Sequence, residues 1–376
     1  MMYQNLTLFF KHFEIEHFGK DVFLVPYYLG KQYQCDVTIV YPLTKTNQHF
    51  PSEVRGVQLR PQKGMRNDKE IWREFTLLGY LVCHAKDIDI LMRFHHTPFT
   101  VMMVYIYKFL NRKGKVYIKA DLDADDIKEK NTGIKGLIKR LFYPGFIKRV
   151  DVCSCETLAT YKALQNSNNK IFHWKNNLVL MPNGFDEESF ICSGIKEKAF
   201  LEKENIMITV GRLGTQQKNT EMFLKALENV DLGDWKIYLI GPLEEGFEEQ
   251  LNKFYFDNPQ KINSVIYLGA IYDKQLLWEY YNCSKVFVLT SRWESYGLVL
   301  NEAKRLRNFL ISTSVGAFED LVDNQKYGIM IEQESVSSLA SVIHRIISEN
   351  LNIDVYDSDF DANSLSWKSQ ISKIQL

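Results

Sequence analysis

The sequence predicts an α/β protein made of two doubly wound parallel sheets in tandem. Three observations carry that expectation. Short apolar runs alternate with longer amphipathic stretches along the whole chain. The alternation starts afresh after residue 186, just beyond the turn-forming Pro182-Asn183-Gly184. The length of 376 residues suits two domains of ordinary size.

In the first half the strand-like runs are 6–10, 36–41, 88–94, 116–120, 150–154 and 178–181. Helical patterns lie near 20–33, 70–84, 98–112, 134–147 and 156–165. Strands that alternate with helices in this way build a mainly parallel sheet covered on both faces. In the second half the strand-like runs are 206–211, 236–241, 265–269, 285–289, 309–312 and 328–331. The helical patterns there are 219–229, 244–256, 273–282, 298–307 and 334–348. Several of these strands end in Gly or Ser, where the chain turns toward a helix. That carboxyl edge is where open α/β sheets bind ligands. The expected domains are residues 1–184 and 185–362, with a short C-terminal helix over 363–376 packing back on the first. No repeat of solenoid period is visible.

Composition narrows the class. With 45% hydrophobic and 24% charged residues, the chain has the apolar surface to fill cores, which excludes a disordered tail or a fibrous repeat. Aromatic residues make up 13%, so rings are expected in the cores. The net charge is zero but unevenly spread. Residues 1–150 hold 24 Lys/Arg against 15 Asp/Glu, and residues 151–376 hold 22 against 31. An excess of nine positive charges on the N-terminal half suits an anionic partner: nucleic acid, anionic lipid or a phosphorylated substrate.

None of the six cysteines forms a C-x-x-C pair, which argues against zinc. Cys153 and Cys155 share one strand face and are expected to be buried thiols, as in a reducing compartment. The N-terminal residues lack a basic leader followed by a long apolar run. The most apolar window, 101–110, is interrupted by Lys108 and is shorter than the roughly 20 residues a bilayer span needs. A cytoplasmic protein is expected.

The strongest chemical signal is Ser291-Arg292-Trp293-Glu294-Ser295-Tyr296-Gly297-Leu298-Val299-Leu300-Asn301-Glu302. It follows a strand and opens a helix. A helix start near Gly297 presents free backbone N–H groups to an anionic diphosphate, and glycine lets the backbone approach closely. Glu302, one to two turns on, can accept two hydrogen bonds from vicinal hydroxyls such as those of a ribose. Glu294, ahead of the helix, can grip sugar hydroxyls. The plainer alternative is a surface loop and a solvated helix. A second signal is Val210-Gly211-Arg212-Leu213 with Lys218-Asn219. Arg212 leaves a strand end and Lys218 precedes the next helix, so both would sit on the ligand edge. Two cations there can neutralise a diphosphate. The alternative is two ordinary exposed basic side chains.

Together these pieces resemble the retaining glycosyltransferases of family 4, among the glycosyl transferases group 1. The resemblance covers nearly the whole chain and is firmest over 206–332. It implies the GT-B architecture: two Rossmann-like doubly wound domains facing a central cleft. Glu294 and Glu302 match that family's E-x7-E motif, and Arg212 and Lys218 match its phosphate-binding pair. Asn183-Gly184-Phe185-Asp186 is similar to its N-G-V-D, and Val152-Cys153-Ser154-Cys155-Glu156 to its V-x-x-S-E segment. Gly19 sits where relatives carry a glycine loop, which makes it a neighbour of the donor phosphates. Leu268-Gly269-Ala270-Ile271 is implied to contact the nucleotide base, with Ile271 foremost.

One departure stands out. Many members place a histidine after the strand equivalent to 116–120, and here the chain reads Lys119-Ala120-Asp121-Leu122-Asp123. Asp121 or Lys119 is the candidate to take its place near the sugar. His95 and His96, ending the preceding strand, are further polar groups, though histidines at such places are commonly structural. The same segment contains D-x-D, a pattern that suits a divalent ion. Because Arg212 and Lys218 supply positive charge, the expectation is no metal and no cofactor, with the acidic cluster starting a helix.

A basic, ring-bearing stretch runs from Lys135-Gly136-Leu137-Ile138-Lys139-Arg140-Leu141-Phe142-Tyr143 to Phe146-Ile147-Lys148-Arg149. Such a helix can meet an anionic membrane face through 135–149, or simply pack its apolar side on the sheet. No pattern for nucleic-acid binding accompanies the charge, so none is expected.

The reading is a hexose-type glycosyltransferase at the inner face of the membrane. The C-terminal domain would take a nucleotide-diphosphate sugar, and the N-terminal domain a glycan or lipid-linked acceptor, in cell-surface polysaccharide synthesis. Arg212, Lys218, Glu294 and Asp121 are the catalytic candidates. Glu302, Tyr296, Gly297, Leu298, Gly19, Ile271 and Lys119 are the substrate-binding ones. The rival readings are a GT-B nucleotide-sugar epimerase or phosphorylase, and a non-catalytic partner subunit of another transferase.

Overall fold

The structure is a computed structural model. It describes residues 3–64, 70–122, 124–127, 133–166 and 173–376, without the side chains of residues 125, 126 and 133–138. The chain divides into two compact units, Met1–Asp186 with Ser366–Leu376, and Glu187–Leu365.

The first unit is built on strands β1 (Asn5–Phe9), β2 (Asp36–Pro42), β3 (Glu53–Val54), β4 (Val57–Gln62), β5 (Ile90–Phe94), β6 (Lys115–Ala120), β7 (Val152–Cys155) and β8 (Leu178–Leu180). Their order is β3-β4-β2-β1-β5-β6-β7-β8. Every neighbouring pair is parallel except β3 with β4. The two-residue period of a strand sends alternate side chains to opposite faces. Leu6 and Leu8 therefore enter a core with Phe23 and Ile39, while Phe9 enters a second core with Leu77 and Val104. Each such side chain contributes roughly 1.5–3 kcal/mol on burial, so both faces of the sheet must be covered. The helix Asp21–Tyr33 covers one face, and the helices Glu70–His84 and Pro98–Leu110 cover the other.

Strands β3 and β4 are not among the sequence-predicted elements. In β4 only Val57 and Leu59 are buried, and the rest of Val-Gln-Leu-Arg-Pro-Gln is polar or carries proline. A strand buried at alternate positions for only half its length shows no continuous apolar run.

The C-terminal segment belongs to this first unit. Trp367, Ile371 and Ile374 are buried in the same core as Leu6 and Phe23. The Gln32 amide and the Tyr33 hydroxyl both donate to the Ile374 carbonyl, at 2.9 and 3.0 Å. The Trp367 N–H donates to the Phe185 carbonyl at 3.0 Å.

The second unit holds β9 (Glu204–Val210), β10 (Lys236–Ile240), β11 (Val265–Gly269), β12 (Ser284–Leu289), β13 (Phe309–Ser312) and β14 (Gly328–Met330). The order is β11-β10-β9-β12-β13-β14, parallel throughout. Met207, Ile237, Val286 and Ile311 meet Phe223, Leu227 and Ile343 from the covering helices in its core. The helices Glu187–Ser193 and Phe318–Val322 were not expected, because seven and five residues are too few to display a helical period. Among the described residues no helix is long and apolar enough to cross a membrane.

The return of the C-terminal segment depends on Gly184. A Cβ there would lie 2.4 Å from the Trp367 N and Cα atoms, which are backbone and have little freedom to give way. Gly184→Ala is expected to destabilise the first unit by about 1–3 kcal/mol through this overlap. Urea unfolding checks it, and a loss below about 0.5 kcal/mol would show that the segment shifts freely.

Candidate functional site

In the second sheet the strand order reverses between β9 and β12. From β9 the chain builds outward through β10 to β11, then returns to place β12 on the other flank. Loops leaving the carboxyl ends of these two strands diverge to opposite faces and leave a crevice, the usual ligand position in such sheets. Arg212 and Lys218 follow β9, and Glu294 and Gly297 follow β12.

The structure brings these residues together. Lys218 Nζ lies 2.5 Å from Glu294 Oε1, which also accepts from the Ser291 hydroxyl at 2.6 Å. Glu294 Oε2 accepts from Gln217 Nε2 at 3.3 Å, and Gln217 Oε1 accepts from Arg212 Nη2 at 3.1 Å. Arg212 is exposed, while Lys218 and Glu294 are largely buried, at 15% and 9% side-chain exposure. The group is thus a cation open to solvent linked by an amide to a half-sheltered ion pair.

Backbone features complete this edge. Gly211 directly follows β9, and its missing side chain leaves room for the Lys218 stem, whose Cε would be 3.1 Å from a Cβ. Gly241 adopts a φ of 140°, and a Cβ there would strike the Gly211 carbonyl oxygen. Two adjacent strands therefore end in bare backbone. Gly297, with φ 80°, is the N-cap of the helix Leu298–Arg305, and no side chain caps it. The first N–H groups of that helix, at Leu298 and Val299, have no intrahelical acceptor and suit an anion. A Cβ on Gly297 would approach Glu294 Cγ at 3.8 Å, so the helix start adjoins the Lys218–Glu294 pair.

Glu302 stands apart from Glu294, within the helix Leu298–Arg305, and is paired elsewhere. Its Oε1 accepts from Lys274 Nζ at 2.5 Å. Lys274 opens the helix Lys274–Cys283, capped by the Asp273 carboxylate. Ile271 lies in the loop between β11 and that helix. The cluster thus has two ends: Arg212, Lys218, Glu294 and Gly297 at one, and Glu302 near the Ile271 loop at the other. The ring of Tyr296 is buried, and its carbonyl accepts from the Ala317 N–H at 2.9 Å.

The remaining candidates, Gly19, Lys119 and Asp121, fall in the first unit. Lys119 alternates with Ile118 and shares the Tyr117 face of β6, which the helix Asp21–Tyr33 covers. It is wholly buried, pairs with Asp21 at 2.8 Å and with Glu156, and presents no group to a ligand. The expectation that Lys119 meets substrate is corrected on that ground. Gly19 closes the short helix Ile15–Gly19 just ahead of Asp21. Asp121 is partly exposed, and its buried Oδ1 has no hydrogen-bond partner among the described residues. Its carbonyl accepts from His95 Nδ1 at 3.1 Å, and His95 holds a left-handed φ of 60°. That bond places the ring proton on Nδ1 and leaves Nε2 as an acceptor in the neutral ring. His96 is buried, stacks on Trp174 at 5.3 Å and is pushed down to about 3 by burial. It is a core residue. Asp123 of the D-x-D pattern, and the side chains of Asp125 and Asp126, lie outside the described residues.

Three carboxylates surround one buried ammonium here. Burial works against the Lys119 charge, but Asp21, Glu156 and Asp121 together raise it well above the usual lysine range. Burial pushes Asp21 up, and Lys119 overrides it to hold that carboxyl below the usual range. Burial dominates at Glu156 and raises it, with Lys119 opposing and the charges of Asp121 and Asp21 adding to the rise. One lysine cannot neutralise both of the carboxyls it pairs with, so Glu156 keeps its proton longer than Asp21.

Two residues escaped the sequence reading. Gln217 bridges Arg212 to Glu294. Arg292 ties the loop before Lys218 to the loop of Glu294, through the Gln216 carbonyl at 2.6 Å, Asn219 Oδ1 at 3.0 Å and Glu334 Oε1 at 2.5 Å. Neither belongs to a motif with chemistry of its own. Arg292 was visible only as a neighbour of Glu294.

With this geometry in hand the chain can be set beside known proteins. Residues 194–360 match the family described as Glycosyl transferases group 1. The amylovoran biosynthesis glycosyltransferase AmsD of Erwinia amylovora is 25% identical over 326 residues, 83% of this chain and 81% of that protein. The glycogen synthase of Thermus thermophilus is 26% identical over 179 residues, 46% of this chain and 39% of that one. Among solved structures, a glycosyltransferase from Rickettsia africae superposes with a TM-score of 0.69 at 13% identity, covering 99% of this chain and 97% of its own. The Anabaena protein HepE, solved with UDP and glucose, gives 0.65 at 14% identity, covering 98% and 95%. The fold is GT-B.

Glu156 offers a test of the buried cluster. Its carboxyl is raised in the folded state, so the folded chain is favoured below the ordinary value of 4.5 and loses that advantage as pH rises through the raised one. Glu156→Gln removes the titration and keeps an oxygen for Lys119 and Asn183. Relative to the parent, this variant is expected to gain stability between pH 4.5 and pH 8, by about 1.4 kcal/mol for each unit of displacement. Denaturant unfolding at the two pH values reads it, and an unchanged difference would mean that Glu156 is ionised throughout.

Proposed function

We propose that this protein is a retaining glycosyltransferase that moves a hexose from a nucleotide-diphosphate sugar to a glycan or lipid-linked acceptor in the synthesis of a cell-surface polysaccharide. The observation that carries the reading is the convergence of Arg212, Lys218 and the uncapped helix start at Gly297 on the crevice between β9 and β12. Three positive features at a bare backbone edge suit a pyrophosphate. The likeness of the second unit to group 1 transferases supports it, as does the overall likeness to AmsD. The bound UDP of the HepE structure supports a nucleotide-sugar donor.

In this reading Arg212, Lys218 and the Leu298 and Val299 N–H groups hold the diphosphate. As the bond from the anomeric carbon to the phosphate oxygen breaks, negative charge grows on that oxygen and the sugar gains oxocarbenium character. Preorganised positive groups at the leaving oxygen lower the barrier most. Lys218 is poised for this, because an arriving phosphate offers it a second anion beside Glu294. Glu294 in turn keeps Ser291 and Gln217 as partners and can orient sugar hydroxyls. Glu302 accepts from the ribose, and Lys274 sets its carboxylate in place. Attack from the departing face keeps the anomeric configuration, with the leaving phosphate taking the acceptor's proton. Arg212 and Lys218 provide the neutralising charge, so the reading assigns no step to a divalent ion.

A thermal-shift panel of nucleotide sugars on the purified protein is the first test. One donor is expected to raise Tm, since a ligand at 100 times its Kd adds about 2.7 kcal/mol. No response to any nucleotide sugar would end the reading. Arg212→Ala and Lys218→Ala are each expected to lower turnover by about 10²–10³ while the fold persists. Circular dichroism supplies the folding control, and near-parental turnover in both would remove them from the leaving-group site. Glu302→Ala is expected to weaken nucleotide binding by calorimetry, and an unchanged Kd would take Glu302 out of the site. Conversion of donor without acceptor would favour an epimerase instead.

A further inference from the structure

A trough of about 750 Å³ runs between the helices Pro98–Leu110 and Gly133–Ile147 of the first unit. Pro98, Met102 and Ile106 form one wall, and Phe142 and Tyr143 the other. The volume is that of an ordinary ligand pocket. Met102, Ile106 and Phe109 follow one another at helical spacings of four and three, so they share a face. Phe109 and Leu141 extend the apolar surface, at 77% and 73% exposure. The Tyr105 hydroxyl donates to the Phe142 carbonyl at 2.9 Å and ties the two helices together beside the opening.

The charge on the two helices has one sign. Neither helix sequence contains an Asp or Glu. Lys139 lines the trough, and Arg140, Lys148 and Arg149 are exposed on the second helix and just after it. The Arg149 guanidinium covers the ring of Tyr105, 4.4 Å from its centre, which puts a cation directly on a trough residue. A second copy of this chain would bring like charges against these and be repelled. An apolar slot rimmed by cations is complementary to an amphiphile with a hydrocarbon chain and an anionic head.

We propose that this trough receives a hydrocarbon chain of an anionic phospholipid, with Arg140, Lys148 and Arg149 at the phosphates, and so seats the first unit on a bilayer. The proposal deepens the transferase reading, on which it rests only for placing the acceptor at a membrane. The residues to which that reading gives the diphosphate and the ribose, Arg212, Lys218 and Glu302, lie in the second unit.

Flotation of the full-length protein with phosphatidylcholine vesicles, with and without phosphatidylglycerol, tests it. Binding is expected only when phosphatidylglycerol is present. Arg140→Gln with Lys148→Gln is expected to weaken vesicle binding by about 10–30-fold, a factor of a few for each cation at the surface. Met102→Gln with Ile106→Gln is expected to weaken it by about tenfold or more while all the cations remain, because the chain then meets polar walls. Both positions are only partly buried, and an unchanged Tm confirms the fold. Binding to neither vesicle, equal binding to both, or parental binding by the Met102/Ile106 variant would overturn the proposal. Donor affinity by calorimetry is read in parallel on every variant. Loss of vesicle binding with donor binding intact bears on the trough alone, whereas absence of donor binding in the parent protein bears on the transferase reading alone.

Discussion

The adjacency of β9 and β12 is the constraint on which the second unit's site depends. Lys218 and Glu294 are 76 residues apart in sequence, yet the pairing of Met207 with Val286 sets their strands side by side. Each strand is buried on both faces, so the sheet holds its register through its cores as well as its hydrogen bonds. A one-residue slip of β12 would exchange Val286 and Val288 with the larger Phe287 between two packed faces, and the mismatch in side-chain volume opposes it. The loops that follow inherit this rigidity. Arg292 reinforces it by fastening one loop to the other through Gln216, Asn219 and Glu334.

Ion pairs in the two units differ in exposure, and the difference carries chemical consequence. Lys119 is enclosed with Asp21 and Glu156, and removing Lys119 or Asp21 would strand charge in a medium that solvates it poorly. Such a group orders the strand ends and is closed to exchange. The Lys218–Glu294 pair lies at an edge where Arg212 reaches solvent and two glycines leave backbone bare. Apart from Lys218, Glu294 holds the Ser291 hydroxyl and the Gln217 amide, so its carboxylate does not depend on the lysine alone. The same residue types thus form an enclosed internal tie in one unit and an ion pair at an open sheet edge in the other.

The basic excess of the N-terminal half also finds a place. Some of its cations are consumed internally: Lys108 and Lys115 on Asp151, Arg93 on Glu74, Arg55 on Asp186. Arg140, Lys148 and Arg149 are left exposed beside an apolar trough. What net charge indicates only as a tendency becomes a local surface once the paired cations are set aside.

By itself the sequence determined the alternation of strands and helices, the two-sheet architecture, and the segments whose Arg212, Lys218, Glu294 and Gly297 meet beside β9 and β12. These are local properties: apolar runs bounded by turns, a glycine before a helix, one carboxylate ahead of that helix and another on it. It also singled out Lys119, since a lysine near a strand end looks available until the covering helix is known. Tertiary structure alone decided that Lys119 is buried while Lys218 stays near the surface, because burial depends on which distant element packs over a face. It likewise decided that Gln217 and Arg292 join the cluster, that Gly184 must lack a side chain beneath Trp367, and that two acid-free helices stand apart enough to leave a trough. Each of these arises from contacts between residues far apart in the chain, and local periodicity holds no record of them.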